Sequence, residues 1–243
     1  MGLAGGWRVA SGFVDLLEAL RGTGAVREFE DEPVPDEVLY RLLDVARFAP
    51  NGGNRQAWRV VVVRDAETRR ELRDLYLRGW YPYLAMSSAG LTPWAPLTDR
   101  KAEERAMSEA PAIAAAAAQG PGGFAEHLHT VPVLLVVLAD LSRLAAVDRD
   151  LDRYTLVGGA SVYPFVWSVL LAARAEGLGG VVTTMVVAEE AAVRRLLSVP
   201  DDYAVAALVA LGRPVKQPTR LRRLAVEEFT TVDRFDGPPL RSG

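Results

Sequence analysis

The sequence predicts an α+β fold, because helical and strand patterns both occur along its 243 residues. An uninterrupted β-branched run predicts a buried strand over residues 60–63, and apolar runs predict two more core strands over residues 131–138 and 203–211. Apolar residues at helical spacing predict a helix over residues 36–48, with one face made of Val38, Leu39, Leu42, Leu43 and Ala46. Half of the residues are hydrophobic, which is enough for one sizeable core, so residues 1–243 are expected to form a single domain.

Composition and charge exclude several function classes. The net charge of -3 provides no broad basic field for nucleic acid. The absence of cysteine excludes a disulfide framework, a thiolate zinc site and a cysteine nucleophile. We find neither a secretory signal nor an apolar run long enough to span a bilayer, so a soluble cytoplasmic protein is expected.

The sequence predicts several further helices and two residues at helix ends. Residues 13–20 predict a short helix with four apolar residues on one side, and residues 65–78, 141–147 and 188–197 predict three more. Asp36 is a candidate N-cap for the helix over residues 36–48, since its carboxylate can accept from free backbone N–H groups. A long helix begins near residue 154 and is expected to end at Gly177 as a C-cap. Met1–Gly6 is expected to be a loose terminus.

The helix over residues 36–48 stops at Pro50, and a polar loop follows. The loop reads Asn51-Gly52-Gly53-Asn54-Arg55-Gln56 and leads through Trp58 into the first strand. Amide side chains both donate and accept, so they suit a heteroaromatic ligand with mixed N–H and C=O edges. An ordinary surface turn uses the same residues. The spacing alone favours the surface turn.

Residues 79–123 differ in composition from the rest of the chain. Four aromatic residues cluster there with prolines: Trp80, Tyr81, Tyr83 and Trp94. A charged run and then the alanine tract at residues 112–118 follow, and a glycine-rich stop closes the segment. The aromatic cluster fits ordinary packing under a long connection and a lid over a flat ligand about equally well.

His127 and His129 are the two histidines of the chain. On a strand, their spacing would point both rings to one face, where a metal pair is conceivable. No nearby carboxylate pattern completes a ligand set. We therefore expect the two histidines to lie on a solvent-facing edge and to bind no metal.

Two blocks resemble the flavin-dependent nitroreductase family. The first block is Arg27-x-Phe29, Pro33-Val-Pro35, a helix, and then the run from Ala49 to Trp58 that contains Asn54-Arg-Gln56. The second reads Gly-Ala-Ser-x-Tyr-Pro, a long helix, Leu-Ala-Ala-Arg, Gly-Leu-Gly and Thr-Thr, within residues 154–184. The chain departs from the family at Asn51 for Ser, at Ala57 for Pro and at Trp167-Ser168 for Gln-Asn.

The resemblance implies a mostly antiparallel central sheet flanked by helices, with an inserted lid at residues 79–123. It also implies a homodimer with FMN at its interface, in which a tail at residues 224–243 wraps the partner. The small residues at 158–161 allow close helix–helix approach, as across a dimer axis or inside a core. No nucleic-acid or membrane partner is expected.

The flavin-contacting residues implied by the resemblance come from both ends of the chain: Arg27, Pro50, Asn51, Gly52, Asn54, Gln56, Val182, Thr183, Thr184, Arg222 and Arg223. Gly24 and Ala25 stand where the family carries an Arg-Ser pair that helps hold the flavin phosphate. Arg21 or Thr23 is a candidate to replace that pair, and the alternative is weaker phosphate binding. Trp80, Tyr81, Tyr83 and Trp94 are the implied substrate contacts.

The implied activity is an FMN-dependent oxidoreductase that takes hydride from NAD(P)H and passes two electrons to a nitroaromatic, a quinone or a similar planar acceptor. The flavin supplies the chemistry, so no catalytic protein acid or base is assigned. Two alternatives stay open. One is a flavoenzyme of the same fold that dehydrogenates a biosynthetic intermediate or consumes flavin, and the other is a non-enzymatic flavin-binding protein.

Overall fold

A computed structural model describes residues 14–241 and contains a four-stranded antiparallel sheet. The strands are β1 (Trp58–Val63), β2 (Val133–Asp140), β3 (Gly179–Thr183) and β4 (Tyr203–Gly212), in the spatial order β1-β2-β4-β3. The α-helices are α1 (Leu16–Gly22), α2 (Asp36–Ala46), α3 (Ala66–Ser88), α4 (Arg100–Met107), α5 (Ala110–Ala117), α6 (Tyr163–Ala175), α7 (Glu190–Leu196) and α8 (Val226–Phe229). The predicted α+β fold with an antiparallel sheet is confirmed.

The sheet lies between two helical layers, and β2 shows why. Every residue of β2 is buried, because the strand is central and both of its faces are covered. Successive side chains of a strand point to opposite faces. Leu135 and Val137 therefore pack in the cluster with α2 and α6, whereas Leu134 and Val136 pack in the cluster with α3 and α7.

The first strand is less buried than its sequence predicts. β1 pairs only with β2 and forms one edge of the described sheet. Val60, Val61 and Val62 are therefore half-buried, and Val63 is buried. A β-branched run indicates a strand but does not tell an edge strand from a central one.

The predicted cap of α2 is wrong. The helix begins at Asp36, and the N-cap position is taken by Pro35 in an extended conformation. The Asp36 carboxylate instead accepts a hydrogen bond from the guanidinium of Arg64. The helix ends at Ala46, before Phe48, while its predicted apolar face is buried or half-buried.

The first helix is shifted and exposes its apolar side. Asp15 is its N-cap, and its side chain accepts from the backbone N–H groups of Leu17 and Glu18. Leu16, Leu17 and Leu20 are all exposed in the chain taken by itself. The predicted contributions of Phe13 and of residues 1–6 lie outside the described residues.

The helix predicted at residues 65–78 continues to Ser88 as α3, and Asp65 caps it by accepting from the backbone N–H of Thr68. The helix α4 and the alanine-rich α5 both pack against α3. The segment at residues 79–123 is thus largely helical, and α5 ends at Ala117, within the predicted tract.

The regions that flank β2 hold less regular structure than predicted. His127 and His129 lie at a 3-10 turn, Leu128–Thr130, because β2 begins only at Val133. The His127 Nε2 lies 2.7 Å from the Pro121 carbonyl oxygen. Within residues 14–241, no group of His, Asp or Glu side chains is arranged to hold a metal ion. Residues 141–147 form turns and irregular structure instead of the predicted short helix.

The long helix predicted from residue 154 is two elements. A 3-10 helix, Val157–Ser161, precedes α6. Gly158 is buried inside the subunit, where an added Cβ would lie 2.8 Å from the Leu144 side chain. Gly177 follows the end of α6 with a φ of +76°, which confirms its predicted role in ending the helix. In the described part of the chain, no helix is both long and apolar enough to cross a bilayer.

Candidate functional site

The segment with Arg27 runs along the β3 edge of the sheet. The Val26 N–H donates to the Gly180 carbonyl at 2.9 Å, and Ala25 forms a parallel bridge with Gly180. Farther along, Phe29 forms an antiparallel bridge with Pro214. These contacts fix Arg27 beside the outer strand, where it lines an open cavity of about 790 Å³.

A buried tyrosine connects Arg27 to the end of β3. The Tyr76 hydroxyl lies 3.2 Å from the Thr183 Oγ1. Burial raises the pKa of Tyr76, while the bond to Thr183 and the positive charge of Arg27 oppose that rise. The phenol therefore stays neutral at physiological pH. Tyr76 was not among the sequence candidates, since its position in the middle of α3 gives no motif signal.

The other end of this segment is covered by residues 217–221. The Gln217 side-chain amide donates to the Gly22 carbonyl at 3.4 Å. An added Cβ at Gly24 would lie 2.7 Å from the Leu221 side chain, so the two segments touch where the family carries its Arg-Ser pair. Arg222 and Arg223 follow directly and are exposed, and the Arg223 Nη1 donates to the Arg222 carbonyl at 2.8 Å.

The hydroxyl of Thr23 has no hydrogen-bond partner although it is buried. Leaving a buried hydroxyl unpaired is costly, and such atoms call for an explanation. Thr23 closes α1 directly before Gly24. Thr23 precedes Gly24, which touches Leu221, and Arg222 and Arg223 follow Leu221 in the chain. Hydroxyl and guanidinium groups are donors of the kind that bind a phosphate. Arg21, the other candidate, is exposed on the last turn of α1.

The loop after α2 is held by its own amides. Asn51 accepts from the Gln56 N–H at 2.8 Å through Oδ1 and donates to the Ala49 carbonyl at 3.2 Å. The Gly52 N–H donates to the Ser161 Oγ at 3.1 Å. Asn54 and Gln56 have positive φ values of 53° and 50°. Asn51 and Ser161 thus shape the loop, which leaves the exposed Asn54 and Gln56 side chains, bonded to each other at 3.4 Å, facing outward.

Two groups of candidate residues lie at opposite edges of the sheet within one subunit. The loop with Asn51 leads into β1, and Thr183 ends β3, the opposite outer strand. Three strand spacings separate these edges, which is about 14 Å. The structure therefore brings Arg27, Tyr76 and Thr183 together and leaves Asn54 and Gln56 apart from them.

The four candidate aromatic residues have different surroundings. Trp80 and Tyr83 stack on each other, with ring centroids 5.4 Å apart and planes 14° from parallel. The Tyr81 hydroxyl donates to Glu126 at 3.3 Å. Trp94 is 39% exposed and lines a cavity of about 410 Å³ together with Thr184.

A protein-family model matches most of this sequence. Residues 20–213 match the model described as the nitroreductase family. The chain belongs to the nitroreductase family. The match includes the Arg27 segment, the loop with Asn54 and the strand that ends at Thr183, so both blocks that carry the resemblance lie inside it.

Relatives and solved structures agree with this membership. The chain is 29% identical over 203 residues to the NADH dehydrogenase of Thermus thermophilus. This match covers 84% of this chain and 88% of that protein. It is 31% identical over 207 residues to the 5,6-dimethylbenzimidazole synthase of Rhodospirillum rubrum, with 83% of each covered. The NADPH:FMN oxidoreductase from Vibrio harveyi complexed with NAD+ shares the fold, with a TM-score of 0.61 at 22% identity over 90% of this chain and 77% of that one. The protein is thus a nitroreductase-family oxidoreductase.

Proposed function

We propose that the protein is a homodimeric, FMN-dependent oxidoreductase that takes hydride from NAD(P)H and reduces a planar acceptor. One observation supports this proposal: the segment that precedes Arg27 bridges β3, and candidate phosphate and ring residues lie to either side of that bridge. Ala25 forms a parallel bridge with Gly180, two residues after the unpaired Thr23 hydroxyl, and Thr183, three residues beyond Gly180 on β3, pairs with Tyr76. A ligand with a flat ring at one end and a phosphate at the other fits candidate residues in this order.

The phosphate end uses cations and a hydroxyl. Arg222 and Arg223 are exposed and follow Leu221, which touches Gly24, and neither has an ion-pair partner among the described residues. Charge-assisted hydrogen bonds to phosphate oxygens are stronger than neutral ones. These arginines and the Thr23 hydroxyl would therefore replace the family's Arg-Ser pair.

The ring end uses Arg27 and the end of β3. The Arg27 guanidinium would stabilise negative charge on the pyrimidine side of the ring, and the backbone of residues 182–184 would meet its reactive edge. Tyr76 holds the Thr183 side chain at 3.2 Å and thereby fixes the strand end. When bound, FMN supplies the hydride chemistry itself, so the residues of this chain act by binding and orientation.

An exposed apolar surface on α1, α2 and α6 supports a dimer. Leu16 is 66% exposed, Val45 60% and Phe48 74%, and all three line an apolar groove of about 400 Å³ against α6. Contiguous exposed apolar side chains of this size mark interaction surfaces. A second copy would cover them and would bring its Asn54 loop to the flavin held along β3. That arrangement accounts for the separation of the two groups within one subunit.

The first test is the absorbance spectrum of the purified protein. We expect a yellow protein, or one that takes up FMN at micromolar concentration, and anaerobic NADH or NADPH should bleach the flavin band. The Thermus relative named NADH dehydrogenase favours NADH as the better reductant. A chain that takes up no FMN under these conditions does not have the proposed function.

The dimer is tested by sedimentation of the FMN-loaded protein. We expect twice the mass of 26.3 kDa. The Phe48→Lys variant places a charge on the apolar groove and should yield monomers with weakened FMN binding. The Tyr40→Lys variant is the matched control, since Tyr40 is exposed on α2, a few residues before Phe48, but does not line the groove. A stable FMN-loaded monomer of the parent would refute the shared site.

A second candidate function is a biosynthetic reaction on the same fold, including consumption of the flavin. The 31% identity to the 5,6-dimethylbenzimidazole synthase of Rhodospirillum rubrum favours it. Chromatography of the flavin after reduction and exposure to oxygen separates the two candidates. Intact FMN after many turnovers supports the acceptor reductase, and steady loss of FMN to a new product supports the alternative.

A further inference from the structure

The cavity beside Thr184 has an uncharged lining. Its volume is about 410 Å³, and its walls are Trp94, Tyr163, Thr184, Met185, Val187, Ala188, Val205 and Ala206. None of these lining residues carries a charge. A carboxylate or an ammonium group that entered this cavity would lose hydration without a compensating partner. The lining therefore favours a neutral ligand of roughly one aromatic ring system.

Trp94 forms one wall of this cavity in an uncommon backbone conformation. Its φ is +53°, in the left-handed region that a bulky residue rarely occupies. Such conformations persist only where neighbouring contacts impose them, and they cluster at binding sites. The Trp94 ring also lies 6.1 Å from the ring of Tyr83. The position of Trp94 is thus defined both by its backbone conformation and by the contact of its ring with Tyr83.

Glu103 binds the Trp94 backbone. Its Oε1 accepts from the Trp94 N–H at 3.2 Å, and its Oε2 accepts from Arg100 at 3.1 Å. The Glu103 side chain is only 3% exposed, although it lies on the otherwise polar helix α4. Arg100 in turn donates to the Tyr154 hydroxyl at 3.0 Å. This chain of hydrogen bonds connects the Trp94 turn to the loop before the Val157–Ser161 3-10 helix.

We propose that this cavity binds a neutral, planar aromatic acceptor, that Trp94 supplies the ring on which the acceptor stacks, and that Glu103 is the positioning residue that holds Trp94. The inference rests on the proposed function, because Thr184 belongs to the segment that would meet the reactive edge of the flavin. It selects Trp94 from the four aromatic candidates and assigns a role to Glu103, which carries no sequence motif.

Steady-state kinetics of three Trp94 variants test the stacking ring. In Trp94→Ala the KM for 1,4-benzoquinone and for nitrobenzene should rise roughly threefold to tenfold, the range expected for loss of one aromatic pair. Trp94→Phe keeps a ring and should recover most of the affinity. Trp94→Gly should match Ala in KM but melt at a higher temperature, because glycine adopts a positive φ without strain. The control is Leu97→Ala, since Leu97 is 94% exposed and does not line the cavity.

The positioning role of Glu103 is tested through KM and kcat separately. Glu103 does not line the cavity. The Glu103→Ala variant should nevertheless reproduce the KM increase of Trp94→Ala, because the Trp94 N–H loses its hydrogen bond to the Glu103 carboxylate. Glu103→Gln retains a carbonyl oxygen that can accept from the Trp94 N–H, so its KM should stay near that of the parent. Equal KM changes for the Ala and Gln variants would contradict the positioning role.

A matched pair of acceptors tests the uncharged lining. The parent should reduce nitrobenzene with a kcat/KM at least roughly tenfold above that for 4-nitrobenzoate, which adds a carboxylate to the same ring. FMN titration and anaerobic reduction by NADH are measured on every variant. A parent that fails these two measurements overturns both the function and the acceptor site. A parent that passes them, but shows no nitrobenzene preference or no KM change in Trp94→Ala, overturns the acceptor site alone.

Discussion

Replacement of Thr23 by valine should have opposite effects on the empty protein and on FMN binding. The Thr23 hydroxyl is buried and has no partner within residues 14–241. Burying an unpaired hydroxyl costs about 1–3 kcal/mol. Valine has nearly the same shape, so Thr23→Val should raise the free energy of unfolding of the FMN-free protein by about 1–2 kcal/mol.

FMN binding should weaken in the same variant. A hydrogen bond to a charged group contributes about 1.5–3 kcal/mol. If the hydroxyl donates to the phosphate, its loss should raise the Kd of FMN roughly tenfold to hundredfold. The two effects are measured by guanidinium unfolding without FMN and by fluorescence titration with FMN.

The matched control is Thr68→Val at the start of α3. The Thr68 hydroxyl donates to the Asp65 carboxylate at 2.8 Å, away from the candidate site. This variant should lose about 0.5–1.5 kcal/mol of unfolding free energy and bind FMN normally. The reasoning is refuted if Thr23→Val is less stable than the parent without FMN, or if it binds FMN with an unchanged Kd.

Three further predictions concern charge and backbone. Arg223→Ala should raise the Kd of FMN roughly tenfold or more, whereas Arg27→Ala should mainly slow flavin reduction in stopped-flow experiments; an unchanged Kd in Arg223→Ala would place the phosphate elsewhere. The Asp148 carboxylate accepts hydrogen bonds from the backbone N–H groups of residues 156 and 157 and from the Arg153 guanidinium. These bonds lower its pKa to about 2, against about 3.9 in an unfolded chain. The contribution of ionised Asp148 to stability is therefore complete above about pH 4 and is lost as the pH falls towards 2. In Asp148→Asn the free energy of unfolding should fall less steeply between these pH values. An unchanged dependence of that free energy on pH would contradict this prediction. Gly177→Ala should lower the free energy of unfolding by about 1–2 kcal/mol, because alanine at a φ of +76° is strained. Urea denaturation measures this change, and an unchanged free energy of unfolding would show that the turn relaxes.

The elements determined by the sequence alone are those with a strong local pattern. β2 and β4 are apolar runs whose strand character needs no knowledge of their neighbours, and the structure places them at the centre of the sheet. The apolar stripe of α2 likewise predicts its buried face, because helical spacing fixes which side chains share a side. Gly177 ends α6 as predicted, since the left-handed conformation favours glycine.

The elements that sequence reasoning misplaced depend on distant contacts. β1 looks as apolar as β2, yet it lies at an edge and is half-buried, because strand order is not encoded in local pattern. Asp36 has the right residue type for an N-cap, but the guanidinium of Arg64 takes its carboxylate. The leucines of α1 predict a helix facing a core, and only the fold shows that they remain exposed in a single chain.

The candidate site shows the same division. The motif selected Arg27, the Asn54 loop and residues 182–184 as candidates, because residue types and their order can be read from the sequence alone. Tyr76, the unpaired Thr23 hydroxyl and the Glu103–Trp94 bond could not be found that way, since each depends on two segments that meet only after folding. The tertiary structure also decided that the Asn54 loop and Thr183 lie on opposite edges of the sheet, because strand pairing, which joins residues far apart in the chain, sets that distance.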